Sequence, residues 1–403
     1  MHFRRCFLFL CLGFFACSEA NEDVRTSTAR RFIESIRAEA APDKRVAVWQ
    51  PELARTDRRL DRYVLRGETN LPDAKRALTD SLDAAGIAFV DSLSVLPDRV
   101  ELGEQIHALV NLSVANIRSQ PKHSAELATQ ATLGTPLNVL KRRDDWYYIQ
   151  TPDGYLGWLD AGGLALKTTD EMTDWFRSER VVYLPDFGVS YMVDHPEDAV
   201  VSDVLAGAIL QRAGSQFGVT TVRYPDGREA DLPDDEVMAY GAWLASRQAT
   251  AEGILFDAYQ LLGRPYLWGG TSNRAMDCSG FTKIVFYQNG ILLPRDASQQ
   301  VHVGELITTD TAELDRLERG DLLFFGRKAT VDRSERTTHV AIYAGNGRII
   351  HASGRVLEES LRRGDPGFAE HRLTSFLRAK RILGSEGRNG VRQLRNVGMY
   401  RTP

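Results

Sequence analysis

The 403-residue chain predicts an α+β protein with an all-β middle. Three observations carry that reading. Residues 106–165 alternate short apolar runs with turn signals, the pattern of many short strands. A Pro-Asp-Gly turn from this stretch returns 73 residues later, with neighbouring positions in the same register. Residues 250–384 place two helical patterns first and strands afterwards, the order of an α+β domain. At about 150 residues per domain, the length accommodates two to four domains. The composition, 43% apolar and 26% charged, is that of an ordinary globular chain. A net charge of -4 argues against nucleic acid as a partner, which calls for a basic stripe or domain.

The N-terminus reads as an export signal over residues 1–20. Arg4 and Arg5 precede an apolar run, Cys6 to Ala16, that is shorter than the ~20 residues of a membrane helix. Phe14-Phe15-Ala16-Cys17 resembles a bacterial lipoprotein box, which implies a lipid on Cys17 and attachment to a membrane. Ordinary signal cleavage nearby is the alternative, and both readings export the chain. The expected location is the cell envelope, as a periplasmic lipoprotein. Residues 21–35 read as a polar tether running into a helix. The 21–105 segment is α/β, with a helix at 72–85 and a strand at 87–90.

In 106–165, Gly134 precedes a strand, Trp146 lies in the next, and Gly154-Tyr155-Leu156-Gly157-Trp158 closes the segment. These features resemble a bacterial SH3-like barrel. In 166–245, Gly207, Leu210 and Pro225-Asp226-Gly227 fall 73 residues after Gly134, Leu137 and Pro152-Asp153-Gly154. A second, diverged barrel is therefore expected there, lacking the closing Gly-Trp. Residues 250–384 form the last domain, and 385–403 are a tail without an assigned role.

Cysteine usage then narrows the chemistry. Of four cysteines, Cys6, Cys11 and Cys17 belong to the signal, and only Cys278 is left in the body. An unpaired cysteine in an exported protein suggests a reactive thiol, while a small buried hydrophobe is the bland alternative. Cys278 stands where a loop meets a helix expected over 279–289, with Asp277 as cap. A helix start favours a thiolate and offers N–H groups to an oxyanion.

His339 and His351 lie in consecutive strands joined at Gly345-Asn346-Gly347. A two-residue Asn-Gly turn would put them on opposite faces. A three-residue loop places Ala341 opposite His351 and His339 one diagonal away, ~7–8 Å between backbones. One histidine can then take the thiol proton and the other orient it. His107, His123, His195, His302 and His371 read as ordinary. No metal is expected, since neither a His-Glu-x-x-His motif nor a second thiol is present, and no cofactor is needed.

Leu262-Gly263-Arg264-Pro265-Tyr266-Leu267-Trp268-Gly269-Gly270, Asp277-Cys278-Ser279-Gly280-Phe281, Leu293 to Gln300, Gly320-Asp321-Leu322, Thr338 to Tyr343 and Ile350-His351-Ala352 together resemble the NlpC-type cell-wall peptidases. The resemblance covers 250–384. It implies a papain-like fold with Cys278 as nucleophile, His339 as base, His351 as third member and Tyr266 at the oxyanion site. The whole layout resembles gamma-D-glutamyl-L-diamino acid endopeptidases. Their likeness implies substrate contacts from Asp277, Ser279 and Ser298, and from Glu126 and Tyr155 of the first barrel. A carboxylate suits a substrate ammonium, whereas a solvated surface charge is the other reading of Glu126. The expected substrate is a muropeptide or stem peptide with a free L-alanine amine, handled by a monomer. A hydrolase of intact peptidoglycan and a non-catalytic wall-binding protein are the alternatives.

Overall fold

The computed structural model describes residues 10–57, 62–193 and 195–400; for residues 10–23, 56–57, 62 and 195–198 it describes backbone alone. The expected signal thus lies partly, and the Cys17 side chain wholly, outside the described residues. No helix among those described is long and apolar enough to cross a membrane.

The chain divides into two units, Met1–Gly103 and Glu104–Pro403. In the first, a helix spans Leu10–Ala40, so the expected tether is helical throughout. Residues 14–40 contain no glycine or proline to break it. Ala29 and Ile33, four residues apart, bury one face of it among Trp49, Tyr63, Leu65 and Leu78. The strands Glu52–Asp57, Arg62–Thr69 and Phe89–Val95 form a sheet in that order. The last two are parallel and require the crossover that helix Pro72–Ala84 provides. The final strand begins two residues later than the sequence suggested.

The second unit contains two seven-stranded antiparallel sheets with one topology. Numbered along the chain within each sheet, the strands lie side by side as 7-1-4-5-6-2-3 in both. The first sheet runs from His107 to Lys167 and the second from Arg180 to Ala239. The 73-residue register extends to individual pairings. Ala108 opposite Leu137 corresponds to Val181 opposite Leu210, and Arg118 opposite Trp158 to Tyr191 opposite Asp231. Gly134 and Gly207 both take positive φ, 75° and 83°, and Gly154 and Gly227 take 94° and 95°. Only glycine enters that region freely, which explains its recurrence at those turns. The closing Gly157-Trp158 is matched by Ala230-Asp231 in the second sheet.

The last domain stacks two helices, Ala251–Gln260 and Cys278–Gln288, on a six-stranded antiparallel sheet. The sheet order is Glu305–Thr308, Phe376–Arg381, Leu322–Arg327, Arg336–Gly345, Arg348–Ser353, Arg355–Ser360. Ile254, Leu255 and Ala258 from one helix and Phe281, Val285 and Phe286 from the other meet Phe324, Val340, Ile342 and Ile350 of the sheet. Burying each large apolar side chain contributes roughly 1.5–3 kcal/mol. The tail has a structural task that the sequence did not suggest. Its Arg392–Gln393 pairs with Ile291–Leu292, and Tyr400 is buried against Tyr287 and accepts a bond from the Tyr240 hydroxyl.

Candidate active site

Asp277 caps the helix that starts at Cys278, its Oδ1 accepting from Gly280 N at 2.7 Å. Phe281 and Val285, a helical turn apart, anchor that helix in the core. Its start is further fixed by two wholly buried polar side chains. Arg295 donates to both Asp277 oxygens, at 3.0 and 2.6 Å, and to Ser279 Oγ at 3.0 Å. Gln300 donates to the Ser279 carbonyl and accepts from Thr282 Oγ1. Asp277 Oδ2 also accepts from Gly269 N. The polar atoms of Asp277 and Ser279 are therefore directed into the protein, where they hold the helix and the glycine-rich loop. The substrate contacts that the family resemblance implies for both would come in addition to these bonds.

The histidines meet, although not through the expected loop. Gly345 pairs with Arg348, so the turn is the two-residue Asn346-Gly347, both residues at positive φ. A bulge between Tyr343 and Gly345 supplies the missing residue and restores the face. Ile342 then lies opposite Ile350, the register that sets Ala341 opposite His351. His339 Nε2 is 2.9 Å from His351 Nδ1, with the rings edge to face. His351 is fully buried, and its Nε2 is 2.8 Å from Glu359 Oε2. Glu359 lies in Arg355–Ser360, a strand that sequence reasoning missed.

Cys278 is buried against the strand Arg336–Gly345, within reach of the Val340 backbone beside His339. Burial and the Asp277 charge push its thiol up to about 11, outweighing the Val340 and Ser279 backbone groups. Burial, Arg372 and His351 hold His339 well below the usual imidazole range. Both shifts favour the neutral thiol and the neutral imidazole over an ion pair. Tyr266 packs beside Cys278, and burial raises its phenol to about 12, so it stays a donor at neutral pH.

The first barrel reaches this region through several side chains. Glu126, exposed, accepts from Trp268 Nε1 at 2.7 Å, a bond that neither sequence reading of Glu126 anticipated. The Tyr155 hydroxyl donates to Asp296 Oδ2 at 3.0 Å. Ser298 lies in the short helix Ala297–Gln300, two residues after the cap at Asp296. Thr129 Oγ1 accepts from Arg295 Nε, and the Lys283–Asp153 ion pair, 2.6 Å, is buried between barrel and helix. From the second sheet, Asp186 pairs with Arg264 and accepts from Asn273 at 2.7 Å. The described residues contain no cluster fit to hold a metal ion.

A lone thiol at a helix start, packed on a sheet that carries two bonded histidines, is the apparatus of a cysteine peptidase. Residues 263–377 match the NlpC/P60 family, and residues 117–164 match the bacterial dipeptidyl-peptidase Sh3 domain. The chain accordingly carries an NlpC/P60 domain preceded by a bacterial SH3 domain, and it is a cysteine peptidase. It is 28% identical over 236 residues to a gamma-D-glutamyl-L-lysine dipeptidyl-peptidase of Bacillus cereus, covering 56% of this chain and 67% of that one. It is 26% identical over 259 residues to dipeptidyl-peptidase 6 of Lysinibacillus sphaericus, covering 62% and 88%. A crystal structure of an NlpC/P60 family protein from Bacillus cereus superposes with a TM-score of 0.57 at 23% identity, over 69% of this chain and 99% of that one. That likeness is one of fold.

Proposed function

We propose that the chain hydrolyses the gamma-D-glutamyl-L-diamino acid bond of peptidoglycan stem peptides whose L-alanine amine is free. The observation that carries the reading is the approach of Glu126 and Tyr155 to Trp268 and Asp296, which flank the thiol loop and helix. A carboxylate and a phenol brought in by the barrel are groups that suit an ammonium. The relatives' names add a dipeptidyl-peptidase activity on a gamma-D-glutamyl-L-lysine bond. In the proposed cycle, Cys278 Sγ attacks the gamma-carbonyl and its proton passes to His339 Nδ1. The amine leaves with that proton as the C–N bond breaks, and water resolves the thioester through the same base. Tyr266 and the backbone N–H at the helix start stabilise the oxyanion.

The shared strand order and register support reading the second sheet as a diverged SH3-like module. It grips the Arg264–Arg274 loop through Asp186 and Asp203. Export through the N-terminal signal and lipidation at Cys17 belong to the same proposal. The test is mass spectrometry of products from a free tripeptide, its N-acetylated form and whole peptidoglycan. Release of an L-alanyl-D-glutamate dipeptide from the free tripeptide alone is expected. Equal cleavage of the acetylated peptide would overturn the amine requirement. Activity that survives Cys278→Ala would overturn the nucleophile.

A further inference from the structure

The structure assigns to Glu359 the part of a positioning residue that sets the tautomers of both histidines and so leaves the base its lone pair on Nδ1. The assignment rests on the proposed roles of Cys278 and His339. It follows from two distances and the valence of imidazole. Glu359 stands opposite Ile349, one diagonal from His351, whose opposite residue is Leu357. Its Oε2 lies 2.8 Å from His351 Nε2. An ionised carboxylate only accepts, so His351 Nε2 carries the hydrogen. A neutral imidazole has one N–H, which leaves His351 Nδ1 bare. The atom 2.9 Å from that nitrogen is His339 Nε2, which must then donate. The remaining nitrogen of His339, Nδ1, is left with its lone pair free. That is the state a base needs before it takes a proton from sulfur.

The opposite arrangement shows what the carboxylate prevents. With hydrogen on His351 Nδ1, His339 would have to accept at Nε2 and carry its own proton on Nδ1. The nitrogen of His339 left for the thiol proton would then already be a donor. His351 is fully buried, so water does not compete for either nitrogen and the strand-borne carboxylate decides between the two forms. During turnover the proton from sulfur stays on His339 Nδ1 until the amine leaves. Glu359 does not take it. Its negative charge, two rings away, favours the imidazolium.

Other charges face this chain. His339 comes from Arg336–Gly345, Arg372 and His371 from helix Glu370–Thr374, and Cys278 from its helix. Arg372 Nε lies 3.8 Å from Glu359 Oε2, while its Nη2 donates to Ser353 Oγ. Arg372 thus places a positive charge near the same Glu359 oxygen, and the His351 hydrogen bond keeps the carboxyl below its ordinary range and ionised.

The experiment measures kcat, KM and pH profiles of Glu359→Ala and Glu359→Gln, with ring ¹⁵N shifts recorded on histidine-labelled Cys278→Ala protein with and without Glu359→Ala. Loss of the carboxylate is expected to lower kcat about 10- to 100-fold, as orienting partners of histidine do, with KM little changed. The acid limb of kcat moves to lower pH, because the charge that favoured imidazolium is gone. Glu359→Gln can still accept at Oε1, so it recovers part of kcat while the acid limb stays displaced. The ¹⁵N spectrum should show His351 protonated at Nε2, and Glu359→Ala should mix the tautomers. A variant that merely melts earlier, with kcat, acid limb and tautomer unchanged, would overturn the assignment. Residual hydrolysis by Cys278→Ala would instead overturn the catalytic reading. The tautomer in that same protein still decides the part of Glu359 independently of activity.

Discussion

Replacing Arg295 with methionine removes four hydrogen bonds in one step: two to Asp277, one to Ser279 and one to Thr129. The guanidinium is 1% exposed, so water cannot take its place. The Asp277 carboxylate would keep only neutral donors, Gly269 N, Gly280 N and the Ser279 hydroxyl, and a buried charge without its counter-ion costs roughly 3–5 kcal/mol. At about 2–4 °C per kcal/mol for a domain of this size, the melting temperature should fall by roughly 6–20 °C. The same argument predicts a rescue. In Asp277→Asn the amide oxygen still caps Gly280, and the charge is gone. The double variant Asp277→Asn with Arg295→Met should therefore be more stable than Arg295→Met alone, because removing both partners is far milder than stranding one. Urea midpoints of the four proteins, read at constant slope, complete the cycle. A single variant within about 1 kcal/mol of the parent, or a double variant no better than the single, would refute the claim that this pair holds the helix start.

His339 and His351 both have imidazole pKa values below the ordinary 6.5, chiefly through burial. The unfolded chain therefore binds more protons below that value, and stability falls as pH drops from 6.5, by at most about 1.4 kcal/mol per pH unit for each group. Urea unfolding at pH 5 and 7 should show a shallower dependence in His351→Asn, and an unchanged slope would count against burial as the cause. A Cβ at Gly134 would lie 1.7 Å from the Ile209 carbonyl oxygen, and φ there is +75°. Gly134→Ala should thus be far more damaging than Gly263→Ala, whose equally positive φ meets open space; comparable melting temperatures would contradict the barrel contact. Tyr400→Ala should destabilise by about 3–5 kcal/mol, the loss usual for a buried aromatic, and a smaller change would mean the tail does not strap the domain.

The sequence made the nucleophile helix legible because cap, thiol and apolar spacing are local features. Its account of the histidines reached the right face by the wrong route. The Asn346-Gly347 turn is the shorter type, and the bulge after Tyr343 is set by pairing with Arg348–Ser353 rather than by turn residues. Glu359 stayed hidden because Arg355–Ser360 has only two apolar residues at its start, and nothing local says which nitrogen of His351 faces it. Arg295 and Gln300 were visible as part of a motif, but their bonds depend on Asp277, Ser279 and Thr129 arriving from distant segments. The tail illustrates the same limit. Its partners are Ile291, Tyr240 and Tyr287, about 100 or more residues earlier, so its task depends on tertiary pairing.

The contact between Arg295 Nε and Thr129 has a practical side for anyone dissecting the chain. The segments read as separable beads, each with its own pattern. Yet excision of the thiol domain would strip the outer partner from its most deeply buried cation, and would lay bare the Gly269 backbone, where a Cβ would stand 2.2 Å from the Leu127 carbonyl. Transplanting that domain onto another scaffold would carry the reactive groups along and leave behind the surface against which they are seated. Swaps that move the barrel and thiol domain together respect the seam.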